Sequence, residues 1–577
     1  MRRSTRPTVV LLLALALLPA PAAAAPVELV LSGVEGEAAE NVRAYVDTEV
    51  DLETALAART YRNRSREQVR QALEALGYYQ ASIEVDIERG EEAWTLRVAV
   101  EPGERVNVRA VQVSITGDAV DDPAFSDLRE RLPVREGEPL NHGAYERSKS
   151  ALRNLALSRG YFEHRFTDSR IAVNPGAGWA EIRLAFDSGP RYRLGEVRFS
   201  DSPFRASLLR RFVPFDEGDP YEAGAIAELN RRLLDSGYFD NVVVNTRRGE
   251  AEDLRIPIDA ELTARPDTTV STGIGFSTDE GPRLRLTGTR HYINDRGHSL
   301  VNDLRVSQVR QNVSSRYQIP LRDPLNDRLE LRVGWQREDI EDTESERYTA
   351  GLSRRQQFRS GWTRTQSLRW LDERFEQGED EGRTTLLLPG LSFSRTRSRG
   401  GLDPYWGDRQ DYGVELASEA LLSDVDIFRI TASNHWLRSF GERHRLQLRA
   451  ELGGIGTNDF SQVPSSLRFF AGGDRSVRGY AYQSLAPEDD EGELLGGRYL
   501  ATGSIEYSFR LLPDWRLAAF TDAGNAFDEP GNVEAKVGSG FGVRWLSPVG
   551  PVRLDLAWGV SEENVPFRVH ISVGPPF

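Results

Sequence analysis

The side chains in this sequence that could do chemistry are charged rather than nucleophilic. Glu506 alternates with Ile505, Tyr507 and Phe509, Asp522 is out of phase with Leu517 and Ala519, and Arg544 is out of phase with Phe541, Val543 and Trp545. In an extended chain the side-chain period is two, so each charge falls on the face opposite its apolar neighbours. A guanidinium brought to such carboxylates makes a charge-assisted, often bidentate pair. Enzyme signatures are absent: there is no G-x-S-x-G, H-E-x-x-H, P-loop or dinucleotide fingerprint. The seven histidines are scattered, and His291 and His298 bracket an expected turn without helical ligand spacing. No catalytic residue, cofactor or metal is therefore expected. The acidic segments at 277–280, 373–381 and 488–493 read as solvated loops, with divalent-cation binding as the alternative. The absence of cysteine excludes disulfides and thiol chemistry, and a net charge of -15 argues against a general nucleic-acid binder.

The elements that position these charges are strands. From about 267 onward period-2 alternation dominates, as in Leu329, Leu331, Val333 and Trp335 against Arg328, Glu330 and Arg332. Sixteen such segments run from 268–276 to 566–574, an even number, as a single-chain transmembrane barrel requires. A soluble sandwich also alternates, but arginines and acids this dense on one face suit a wet lumen with lipid outside. Connections that lead from odd to even strands are expected outside and include acidic ones, 338–346 and 373–381, while the others are short turns with Pro or Gly. The longest, about 457–495, joins the eleventh and twelfth strands. In the last strand Phe567, Val569, Ile571 and Val573 oppose Arg568, His570 and Ser572.

The first half differs. Residues 1–24 read as a secretory signal peptide: Arg2, Arg3 and Arg6, a ten-residue apolar run from Val9 to Leu18, then small residues before a cut near Ala24. No later stretch approaches the ~20 apolar residues of a membrane helix. A module then occurs three times, at 25–104, 105–190 and 191–266, with the barrel at 267–577. Each copy carries helical apolar spacing that stops at a glycine followed by two aromatics: Gly77-Tyr78-Tyr79, Gly160-Tyr161-Phe162 and Gly237-Tyr238-Phe239. The aromatics are expected to open a strand. With a leading strand and two trailing ones, the order is β-α-α-β-β, an α+β repeat.

Exported tandem modules of this order resemble POTRA domains. The segment Val477-Arg478-Gly479-Tyr480 in the long connection resembles the Val-Arg-Gly-Tyr/Phe loop of the BamA/TamA/two-partner-secretion superfamily of outer-membrane assembly factors. Phe520-Thr521-Asp522-Ala523-Gly524 matches its aromatic-x-Asp-x-Gly strand motif, and Gly496-Gly497-Arg498 and Gly540-Phe541-Gly542 are also similar. The resemblance implies that the loop enters the lumen and that Arg478 meets Asp522, with Phe520, Gly524, Glu506 and Arg544 around the pair. Three modules and sixteen strands are most similar to the TamA branch. That branch implies a TamB-like inner-membrane-anchored partner, unfolded outer-membrane protein or autotransporter clients, and outer-membrane lipid around the barrel. A BamA-like general assembly factor, a two-partner secretion transporter and a passive channel are the alternatives. The seam between the first strand, with Thr269 and Gly275, and the last, with Phe567 and Gly574, is the expected site of lateral opening, because Pro575 and Pro576 lack ladder amides.

Overall fold

The computed structural model describes residues 27–573 other than 51, 91, 92, 402, 532 and 549. The expected signal peptide and Gly574 to Phe577 lie outside the described residues. The chain forms two compact units. The first comprises residues up to Glu196 with 217–225 and 247–257; the second comprises 197–216, 226–246 and 258 onward.

The first module is β1 (Glu28–Ser32), α1 (Gly36–Tyr45), α2 (Ala55–Glu74), β2 (Ser82–Arg89) and β3 (Trp94–Glu101). The second is β4 (Asn107–Thr116), α3 (Pro123–Glu130), α4 (His142–Ser158), β5 (Arg165–Asn174) and β6 (Trp179–Asp187). The third is β7 (Arg193–Phe199), the short α5 (Ala206–Leu209), α6 (Ala223–Asp235), β8 (Phe239–Thr246) and β9 (Arg255–Ala264). Each has a three-stranded sheet with its last strand in the middle, orders β1-β3-β2, β4-β6-β5 and β7-β9-β8. Helix α2 buries Ala58, Tyr61, Ser65, Val69, Ala72 and Leu73 at three- and four-residue spacing. Thr54 caps it by accepting from the Ala57 amide at 3.1 Å.

The glycine stops do more than end helices. Gly77, Gly160 and Gly237 have φ of 89°, 85° and 72°, the left-handed region that an L side chain enters at a cost. The Gly77 carbonyl accepts from the Val106 amide at 2.9 Å and that of Gly160 from the Tyr192 amide at 3.0 Å, so each stop also docks the next module's first strand. The aromatics depart from expectation. In the first two modules they sit in turns ahead of β2 and β5, and only Phe239 begins a strand. Two of them engage the second module through their hydroxyls. Tyr161 donates to Asp122 Oδ2 at 3.1 Å, and Tyr79 lies 2.9 Å from His142 Nε2, so each is held toward that module's helices.

Asp122 ties the second module together. It caps α3 through the Ala124 amide at 3.1 Å and takes Arg159 Nε at 2.6 Å. Burial alone would raise its carboxyl, but Arg159, the Ala124 amide and Tyr161 outweigh that and hold it below the usual range. Burial, reinforced by Asp122, pushes the Tyr161 phenol up to about 12. A carboxyl with a depressed folded pKa stabilises the fold fully above its unfolded value of about 3.9, and that contribution is lost as pH falls through the folded value. The second module is therefore expected to loosen as pH drops below about 4. Hydrogen exchange of the α3–β6 amides measures it, and Asp122→Asn should weaken that acid dependence.

The barrel is closed and antiparallel, sixteen strands in sequence order. Its first eight are β10 (Thr268–Ser277), β11 (Gly281–Arg290), β12 (Ser299–Val306), β13 (Arg310–Pro320), β14 (Asp327–Ile340), β15 (Thr343–Gln357), β16 (Thr363–Gln377) and β17 (Asp380–Arg399). The rest are β18 (Trp406–Ala417), β19 (Ile427–Phe440), β20 (His444–Thr457), β21 (Tyr499–Leu512), β22 (Trp515–Phe527), β23 (Lys536–Ser547), β24 (Gly550–Gly559) and β25 (Phe567–Val573). Burial alternates along β22, where every second side chain from Arg516 to Ala526 is buried and the outward ones between Trp515 and Ala523 are exposed. The third helix stop packs on this barrel: Tyr238 donates to the Gly297 carbonyl at 2.6 Å and its ring meets Phe204, which meets Tyr292.

Two acidic stretches expected as loops are strands instead. β14 and β15 pair to Ile340↔Thr343, and β16 and β17 to Gln377↔Asp380, so 338–346 and 373–381 are almost wholly ladder. Opposite-charge cross-strand pairs, Glu346↔Arg374 and Arg347↔Glu373, favour the extension. Nor are all the acids solvated: Glu373 is fully buried, and the Asp279 side chain in the turn after β10 is largely buried. Among the described residues no group of three His, Cys, Asp or Glu has metal-holding geometry.

Candidate functional site: the lumenal lock

The connection 458–498 between β20 and β21 folds back on itself through the bridges Phe469↔Gly497 and Ala471↔Leu485. It packs inside the barrel. Val463, Leu467 and Phe469 join Leu371, Leu386, Leu388 and Ile427 of the wall in one apolar cluster. Those wall leucines point inward, so this part of the lumen is dry where the alternation implied a wet one. Arg468 anchors the loop's base, donating to Asp380 Oδ2 at 2.7 Å and to the Val463 and Leu495 carbonyls at 2.8 Å each. Glu373 accepts from Ser345 and Ser465 at 2.9 Å each and from the Ser466 amide at 3.1 Å.

At the loop's tip Arg478 is inserted among carboxylates from three strands. Its Nε donates to Asp522 Oδ2 at 2.7 Å, its Nη2 to Asp522 Oδ1 at 2.9 Å, and its backbone amide to Asp522 Oδ2 at 3.0 Å. Its Nη1 donates to Glu506 Oε2 at 2.8 Å and to Asp555 Oδ2 at 3.3 Å. Arg544 closes the network from β23, with Nη2 2.8 Å from Glu506 Oε2 and Nη1 2.6 Å from Asp555 Oδ1. The Arg478 guanidinium carbon lies 3.4 Å from the Phe520 ring centroid, a cation–π contact. Arg478 and Asp522 are 2% and 0% exposed, so the charges are paired in a region shielded from water. In such a region an ion pair is held by its geometry, and losing one partner leaves the other buried and uncompensated.

The other singled-out residues fall as follows. Val477 is fully buried, Tyr480 reaches Ser561 Oγ at 2.7 Å, and Gly479 donates its amide to His570 Nε2 at 3.2 Å. Gly524 packs against Ala501 and Thr502 of β21. Asp555 was not singled out, although its alternation with Leu554 and Leu556 marks it as inward. At the seam, Thr269 and Gly275 lie in β10 and Phe567 in β25, while Gly574 lies outside the described residues. Thr269 and Gly275 pair with Thr289 and Arg283 of β11, and Phe567 pairs with Trp558 of β24. Among the described residues the ladder between β10 and β25 is the single pair Ser277↔Ser572. That register sets 567 opposite 282, beyond the end of β10, which is why Phe567 has no seam partner.

Residues 260–577, more than half the chain, match the Omp85 superfamily domain. Residues 28–102 match a POTRA domain described as TamA domain 1, and 108–178 and 192–264 match a POTRA model described as a surface antigen variable number repeat. The chain is similar to the outer membrane protein assembly factor BamA of Neorickettsia risticii, 23% identical over 84% of this chain and 68% of that protein. It is similar to BamA of Neisseria meningitidis at 22% identity, over 84% and 69%. A crystal structure of Haemophilus ducreyi BamA lacking POTRA domains 1–3 shares the fold, with TM-score 0.70 at 16% identity over 81% of this chain and 99% of that one. The chain belongs to the Omp85 superfamily of outer-membrane protein insertases and transporters, a sixteen-stranded outer-membrane barrel with N-terminal periplasmic POTRA modules.

Proposed function

We propose that this chain is a TamA-type assembly factor that helps insert or secrete autotransporters and other outer-membrane proteins through its barrel seam, working with a TamB-like inner-membrane-anchored partner. The observation that carries the reading is the contrast between a wall pinned from inside by Arg478 and a seam with one described ladder pair. A stiff wall beside a thin seam confines opening to that seam, and an exposed strand edge there templates a client strand by main-chain hydrogen bonds. The match of the first module to a TamA-specific model supports TamA over BamA. The outer strands of the three POTRA sheets offer further edges for an extended client.

Two measurements test this. Ser277→Cys with Ser572→Cys places a disulfide at the seam pair in a chain that has no other cysteine. The locked barrel is expected to lose client insertion and regain it on reduction; full activity while locked overturns the gate and favours a passive channel. Capture of partners by the full-length chain should recover a long, β-rich inner-membrane protein. Recovery of small lipoproteins instead assigns the BamA-like role.

A further inference from the structure

The seam contains a buried pair that neither the Arg478 network nor the strand ladder uses. The register Ser277↔Ser572 sets Asp279, in the turn after β10, opposite His570 of β25. Both side chains are buried, with His570 Nδ1 3.8 Å from Asp279 Oδ1. That separation is too long for a hydrogen bond. The loop supplies the hydrogen bonds. Asp474 donates its amide to Asp279 Oδ2 at 2.9 Å, and Gly479 donates its amide to His570 Nε2 at 3.2 Å. Because Nε2 accepts, the neutral ring carries its proton on Nδ1, the nitrogen turned toward Asp279.

The segment between the two donors is itself tied. The Ser476 amide donates to the Gly473 carbonyl at 3.3 Å, and the Gly472 amide to Ser476 Oγ at 3.3 Å. Arg478, the residue before Gly479, is fixed to Asp522 on β22 and Glu506 on β21. One continuous path therefore runs from the neighbouring wall through Arg478 and Gly479 to the last strand, and through Asp474 to the turn of the first.

We propose that Asp279 and His570 form a latch on the lumenal side of the seam, closed by these two loop amides, so that the loop holds the first and last strands together. They are positioning residues for seam opening: separating β10 from β25 at this end must break a buried hydrogen bond to the loop. The latch gives the proposed lateral gate its control and rests on that reading.

The test is a distance measurement that needs no client. Phe276 and Val569 are exposed on the outer face of β10 and β25, and Phe276→Cys with Val569→Cys gives two unique spin-label sites. In phosphatidylcholine vesicles the full-length protein should show a narrow distance distribution. His570→Phe removes the acceptor but keeps the bulk, and Asp279→Ala removes the other; each is expected to raise the long-distance population several-fold. His570→Gln and Asp279→Asn, which retain an acceptor oxygen, should return it towards the parent. An unchanged distribution in His570→Phe and Asp279→Ala overturns the latch. So does equal broadening in the Gln and Asn variants, which would assign the effect to packing. Activity of the disulfide-locked barrel tests the gate separately, so the two readings fail independently.

Discussion

Arg478→Ala is expected to destabilise the barrel by about 3–5 kcal/mol, the cost of leaving a buried carboxylate network without its central cation. Three carboxylates, Asp522, Glu506 and Asp555, lose a guanidinium partner at once; Arg544 bonds only the other two, and Arg449 comes no nearer to Asp522 than 4.0 Å. The loop tip should then leave the wall. The readouts are the temperature at which the folded band of the barrel is lost on gels and the rate of protease cleavage within 458–498. Arg478→Lys should recover only part of the loss, because one ammonium cannot reproduce a planar fork that reaches three carboxylates. The geometry also decides what a charge swap would do. An isolated Arg478–Asp522 pair would tolerate reversal of both partners. Here the reversed side chain at 478 would face Glu506 and Asp555, so the double reversal is expected to stay unstable. An Arg478→Ala barrel with an unchanged melting point and a protected loop would remove the lock.

Much of this was open to reading because strands write their two faces into alternate residues. Glu506, Asp522 and Arg544 could be placed inward from their neighbours alone, and Arg478 came from the resemblance of its segment. What alternation hides is whatever covers the inner face. Leu371, Leu386 and Leu388 are apolar on the lumenal side while Trp370 and Leu387 are apolar on the other. Locally such a stretch resembles a strand buried on both faces, and only a loop some eighty residues later explains it. Glu373 was concealed by company, since its acidic neighbours suggested solvent, whereas three serine groups and an amide satisfy it. The register of the seam is hidden for a different reason. Pairing between first and last strands depends on long-range register, which no local pattern in either strand specifies.

Gly538→Ala is expected to reproduce the Arg478→Ala defect without touching any charge. A Cβ on Gly538, in β23, would lie 1.7 Å from the Arg478 carbonyl oxygen and 2.9 Å from its carbon. Both obstacles are backbone, so no side chain can rotate away to make room. Either β23 shifts, straining the ladder that pairs Gly538 with Asp522 and Gly559, or the loop tip backs off the wall. The second route lengthens the bonds from Arg478 to Asp522. Overpacking a tight contact costs about 1–3 kcal/mol, and here it adds to the weakened ion pairs. Gly288→Ala is the control, since nothing lies within 4 Å of a Cβ in that strand. It should melt as the parent does. If Gly538→Ala also melts as the parent and its loop resists protease, the close approach of loop and wall is not what holds Arg478 in place. If instead it exposes the loop as Arg478→Ala does, backbone contact and ion pairing act as one fastening, and a methyl group is enough to undo it.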